Sequence, residues 1–116
     1  MRPRSVKSQL KDCLRWAQVR SQARGLPEPE FDVAFLMRKW NAQNGRCALT
    51  GAPLSCIPHD PYGVTLDRID PAKPYTRRNT ALVARWANAA KGEGSIADFH
   101  KQCRQAVRGY YARAAA

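Results

Sequence analysis

The chain has 116 residues, 44% hydrophobic and 25% charged, with 20 Lys and Arg against 9 Asp and Glu for a formal charge of +11. That composition supports one modest core and excludes a disordered chain, and the length leaves little room for a second domain. The charge, with a pI near 10.2, favours a polyanionic partner, nucleic acid before any other.

No run approaches the ~18 apolar residues of a membrane span. Met1-Arg2-Pro3-Arg4 has no apolar stretch behind it of the kind a signal peptide needs. The expectation is a cytoplasmic protein without membrane contact. Cys13, Cys47, Cys56 and Cys103 form no C-x-x-C pair, so free thiols are expected and no structural zinc.

Residues 5 to 24 read as a helix capped by Ser5, with Val6, Leu10, Cys13, Leu14 and Ala17 at helical spacing and Lys7, Lys11, Arg15 and Arg20 on the other face. Gly25 ends it, and Leu26-Pro27-Glu28-Pro29 is a stiff connector. A second helix is predicted over 30 to 43, its apolar face running from Phe31 through Ala34, Phe35 and Met37 or Arg38 to Trp40, with Asn44-Gly45 as the stop. Both helices read as packing elements that extend a basic surface.

From Arg46 to Tyr75 the chain is rich in Pro, Gly and Asp. Cys47 to Leu49 is a candidate short strand turned at Thr50-Gly51. Val64 to Ile69 alternates, with Val64, Leu66 and Arg68 on one side and Thr65, Asp67 and Ile69 on the other. A loop follows from Asp70 to Tyr75, where Asp70 reads as the start of a turn and Tyr75 as a packing residue. Thr80 to Val83 is a further strand and Arg85 to Lys91 a helix stopped by Gly92. Ser95 and Asp98 make a capping-box variant for a last helix with Ile96, Phe99, Cys103, Ala106 or Val107 and Tyr110 on its apolar face, and a fraying tail over 112 to 116. Trp16, Trp40 and Trp86 read as core or half-buried residues.

Strand, loop, strand, short helix is the order of a ββα hairpin motif. Folding the hairpin back brings Asp67, near the end of the first strand, toward Asn88 on the helix. Both offer oxygen ligands, which suit Mg²⁺ or Mn²⁺.

Leu66-Asp67-Arg68-Ile69-Asp70, then Lys73-Pro74-Tyr75-Thr76-Arg77-Arg78-Asn79, then Asn88-Ala89-Ala90-Lys91-Gly92 resembles the HNH endonucleases, in the subgroup whose first motif reads Leu-Asp-Arg-Ile-Asp. Gly45 to Leu54 is similar to the lead-in of that subgroup. The resemblance covers residues 40 to 95. It implies an α+β fold with a ββα-metal core over 45–93, between an N-terminal helical part over 1–44 and a C-terminal helix over 94–116.

By the same resemblance, Asp67 is the metal-binding acid and Asn88 the second ligand of one divalent ion. Asn79 is the middle residue that braces the loop, and Lys91 reaches a phosphate. Lys73, Arg77, Arg78 and Arg85 are the further candidates for nucleic-acid contact. The usual general base, a His directly after the metal-binding Asp, is replaced by Arg68. An arginine stays protonated and cannot take a proton from water, although it can hold a phosphate and stabilise its charge. His59 is the nearest alternative base in sequence and reads otherwise as a loop histidine without a role. His100, on the last helix, reads as structural.

The resulting expectation is a metal-dependent endonuclease that nicks one strand of DNA per site. The alternative is a degenerate HNH-fold module, such as a phage or mobile element encodes, that binds nucleic acid without cutting. A small structural or partner-docking protein is the third reading.

Overall fold

Ser5 accepts a hydrogen bond from the Ser8 amide and so caps the first helix, α1, Val6–Ala23. In this computed structural model, which describes residues 2–115, every predicted helix is present, with shifted limits in the second. Asp32 caps α2, Val33–Ala42, by accepting from the Phe35 amide. The start falls later than the sequence suggests because the prolines hold the approach extended and the Glu30 amide donates to the Tyr75 carbonyl. Leu36, not among the residues expected on the apolar face, is its fully buried residue, while Ala34 is exposed. Asn44 and Gly45 both adopt positive φ, 55° and 64°, and turn the chain out of the helix.

Cys47 to Leu49 is not a strand. The Cys47 carbonyl accepts from the Gly51 amide and the Ala48 amide donates to Leu82, so the segment closes as a turn over the sheet. The sheet itself has two strands, β1, Val64–Arg68, and β2, Thr80–Ala84, antiparallel, with Asp67 opposite Ala81 and Arg68 opposite Thr80. Then come α3, Arg85–Lys91, and α4, Ile96–Ala114, the latter capped by Ser95 on the Asp98 amide. The result is a mixed α+β chain of four helices and one hairpin.

Period-two alternation along the strands feeds two cores. Val64, Leu66 and Leu82 pack with Leu10, Cys13, Ala17, Phe31, Leu36 and Tyr75 under α1 and α2. Ala81 and Val83 pack with Cys47, Leu49, Ala87 and Phe99 under α3 and α4. The hairpin is thus a thin layer between two pairs of helices, which is how so small a sheet becomes buried on both faces. All four cysteines are free thiols, and burial pushes the Cys13 thiol up to about 11.

Two expectations fail at the surface. Trp16 is 60% exposed, neither core nor half-buried; Trp86, 39% exposed with its ring 6.3 Å from that of Phe99, and Trp40, partly buried against the first core, are half-buried. The expected apolar face of α4 is buried only at Phe99 and partly at Ile96 and Cys103; Val107, Tyr110 and Tyr111 lie exposed because the helix runs past the layer it packs on. The predicted fraying tail is helical to Ala114, and residue 116 lies outside the described residues. No helix among the described residues is long and apolar enough to cross a membrane.

The outer edge of β2 is closed by a side chain that sequence reading did not single out. Gln43 donates to the Leu82 carbonyl at 2.9 Å and accepts from the Leu82 amide at 3.2 Å, as a neighbouring strand would. Gln43→Ala is expected to cost about 1–3 kcal/mol, the cost of stranding the buried Leu82 amide, since the Leu82 carbonyl keeps the Ala48 amide. A chemical-denaturation curve checks it, and wild-type stability would refute this role.

Candidate functional site

Asp67 leaves β1 on the face covered by α3 and is almost completely buried. Lys91, in the last turn of α3, is buried with it, its side chain 0% exposed, and its ammonium lies 3.3 Å from Asp67 Oδ1 and 3.4 Å from the Arg68 carbonyl oxygen. The sequence reading had Lys91 reaching a phosphate; the structure turns it inward. The pitch of a helix leaves that freedom, since residues 88 and 91 share a side of α3 but not a depth.

The pair takes one carboxylate oxygen. The other, Asp67 Oδ2, is buried without a hydrogen-bond partner among the described residues. Asp67 lines a cavity of about 220 Å³ together with Asn88, Arg68 and Tyr75. Asp67 and Asn88 thus line one cavity. Burial holds the Asp67 carboxyl above the usual carboxylate range, against the opposing pull of Lys91 and Arg68.

Arg68 is built into the loop that follows β1. Its Nη1 donates to the carbonyls of Pro71 at 2.8 Å and Lys73 at 3.2 Å, and its guanidinium lies 5.6 Å from the centre of the buried Tyr75 ring. Asn79 closes the same loop. Its Oδ1 accepts from the Asp70 amide at 2.8 Å, and its Nδ2 faces the carbonyls of Asp70, Lys73 and Pro74 at 3.0, 3.3 and 2.9 Å. Two amide protons among three carbonyls mean that one is shared. Asp70 forms the turn expected of it by accepting from the Ala72 amide.

Lys73, Arg77, Arg78 and Arg85 are exposed. Arg77 lies over the Phe35 ring, 5.4 Å from its centre. His59 is exposed, with a φ of 66°, in a separate groove beside Trp16, Thr65, Arg85 and Asn88. His100 has a ring nitrogen 2.7 Å from the Leu49 carbonyl oxygen, a packing role.

Four polar residues of the cavity were missed: Arg20 and Ser21 from the last turn of α1, Arg24 at its C-cap, and Glu93 after α3. The run of basic residues was visible, but a charged helix face ordinarily reads as solvated. Nothing in the spacing shows that this turn abuts β1.

A divalent ion can be weighed against these donors. No cluster of three His, Cys, Asp or Glu side chains exists among the described residues. The donors are one free carboxylate oxygen and one amide, both hard oxygen ligands, so water and phosphate oxygens must supply the rest. Mg²⁺ accepts that arrangement because it keeps much of its water and binds through one or two carboxylates plus phosphate. The unpartnered Oδ2 makes the residues fit such an ion. Comparison with family models, with curated proteins and with solved structures returns no match.

Proposed function

We propose that this chain is an HNH-like, metal-dependent endonuclease that hydrolyses phosphodiester bonds in DNA, one strand per site. The observation that carries the reading is Asp67, whose Oδ2 is buried without a partner among the described residues and which lines one cavity with Asn88. The motif order Leu66–Asp70, Asn79, Asn88–Gly92 supports it, as does the formal charge of +11.

Asp67 and Asn88 would hold one Mg²⁺ or Mn²⁺. When bound, such an ion polarises the scissile phosphate and lowers the pKa of its water. Lys91 neutralises Asp67 Oδ1 and aligns the carboxylate, which leaves Oδ2 as the ligand atom. Arg68, with Nη1 spent on the loop, keeps its remaining N–H groups for a phosphate oxygen and stabilises charge there. Asn79 holds the loop that fixes Arg68.

The test is conversion of supercoiled plasmid to open circle with Mg²⁺, Mn²⁺ or EDTA. Asn88→Ala and Asp67→Asn are each expected to lower nicking at least ~10²-fold, the scale for removing one charge-stabilising group. Asn88 is half-buried and alanine is the better helix former, so Asn88→Ala reads chemistry rather than folding. Metal-dependent nicking unchanged in both variants would refute the site.

A second reading has a specific observation behind it. Arg68 stands where a base is needed and Lys91 already compensates Asp67, as in a fold retained for binding alone. Salt-sensitive DNA binding without nicking under either metal would select that reading.

A further inference from the structure

The cavity that holds Asp67 is walled on one side by the last turn of α1, outside the motif-bearing run. Ser21, in that wall, is 1% exposed, yet its hydroxyl oxygen has no hydrogen-bond partner among the described residues. A helical serine usually returns its hydroxyl to a carbonyl of the preceding turn, and this one does not. Leaving such a group buried and unpaired disfavours the fold unless a ligand uses it.

Arg20 is beside it and is held in place. Its Nε lies 3.2 Å from the Tyr75 hydroxyl, and its guanidinium is 5.8 Å from the Tyr75 ring centre. Arg68 lies 5.6 Å from the same ring centre. One buried phenol therefore gathers two guanidinium groups at one cavity. Asp67 and Glu93 are the carboxylates that line the cavity, and Lys91 already balances the first. Arg24, at the rim, has its own partner in Glu93 at 3.6 Å. The end of a helix carries partial negative charge, and the arginines of this turn outweigh it. Arg20 and Arg68 are left as two fixed cations, with the unpartnered Ser21 hydroxyl on a residue lining the same cavity.

We infer that Arg20, Ser21 and Arg68 form a subsite for one phosphate group of the nucleic acid, adjoining the Asp67–Asn88 pair. The subsite deepens the nuclease reading and rests on it for the identity of the polymer. Guanidinium groups match phosphate oxygens through paired N–H donors, and the serine hydroxyl adds a third direction of contact. Phosphate contacts of this kind position a backbone without reading its sequence.

The test is binding of a short fluorescein-labelled DNA duplex in EDTA by fluorescence anisotropy across a salt series. Wild type is compared with Ser21→Ala, Arg20→Met and Arg15→Met. Arg15, exposed on the same helix, controls for loss of one charge. Ser21→Ala should weaken binding about 5-fold or more while melting at or above the wild-type temperature, since its hydroxyl bonds nothing in the free protein. A structural serine would give the reverse. Arg20→Met should weaken binding at least ~10-fold, lower the salt slope by about one, and exceed the effect of Arg15→Met.

Inorganic phosphate should compete for wild type and much less for Arg20→Met. Wild-type DNA affinity in Ser21→Ala, with Arg20→Met no weaker than Arg15→Met, would overturn the subsite. Phosphate binding weakened by Ser21→Ala, with no DNA binding by wild type, would overturn its assignment to a polymer. Plasmid nicking on the same proteins separates the two proposals. Weakened binding in the variants with no nicking by wild type keeps the phosphate subsite and removes the nuclease. Nicking by wild type and both variants alike keeps the nuclease and removes the subsite.

Discussion

Lys91→Met is expected to destabilise the protein by ~3–5 kcal/mol at neutral pH, the usual cost of leaving one partner of a buried ion pair uncompensated. For a chain of this size that lowers the melting temperature by roughly 10 °C or more. Methionine fills nearly the same space, so the loss reports charge rather than volume. Asp67 is left in place with no ammonium at 3.3 Å. Burial already holds its carboxyl above the ordinary range, and removal of Lys91 raises it further.

The sign of the pH dependence follows. A carboxyl whose folded pKa lies above its unfolded one binds more protons in the native state. Its contribution is fully present below the unfolded pKa and is lost as pH rises through the folded pKa. The defect of Lys91→Met should therefore be small in acid and grow as pH climbs above the ordinary carboxylate range. Joining it to Asp67→Asn should recover much of the stability, because no charge then remains buried. Thermal melts at several pH values check both points. A Lys91→Met defect that is flat with pH, or a double variant no better than the single one, would show that the pair does not govern this site.

Asn79→Ala should have the second large effect. One side chain meets the Asp70 amide and three carbonyls; its removal strands the Asp70 amide and the Pro74 carbonyl, while the Asp70 carbonyl keeps the Lys73 amide and the Lys73 carbonyl keeps Arg68. A loss of about 2–4 kcal/mol is expected, less than the sum of the bonds because the opened loop can take up water. The functional loss should be larger than the stability loss suggests. The carbonyls of Pro71 and Lys73 that anchor Arg68 lie in this loop, and displacement of a charge-stabilising group by about 1 Å can cost ~10²-fold in rate. Hydrogen exchange at the Asp70 amide, which donates to Asn79 Oδ1, is the direct readout, and the Ile69 amide, on the Asn79 main-chain carbonyl, reports whether the loop opens with it. Unchanged protection there with full nicking activity would remove Asn79 from any bracing role.

The helices and the hairpin were legible because their causes are local, and the bracing asparagine through the family resemblance. Ser5 and Ser95 bond amides three residues on, and the alternation Val64-Thr65-Leu66-Asp67-Arg68 is the pleat itself. Asn79 acts within its own loop, and the order of Asp67 and Asn88 along a hairpin and helix is enough to bring them to one cavity. Residue types also told that Arg68 cannot be a base, whatever the fold.

Depth and partner choice were decided only in three dimensions. Lys91 reads as a surface cation until α3 is laid on β1, when its amine comes to lie buried beside Asp67. Trp16 and the far end of α4 read as core until the thin sheet proves too small to cover them. Gln43 meets Leu82 across 39 residues and Arg20 meets Tyr75 across 55, separations at which no periodicity carries information. Sequence spacing reports which side of an element a residue occupies; what faces that side is set by the packing of elements far apart in the chain.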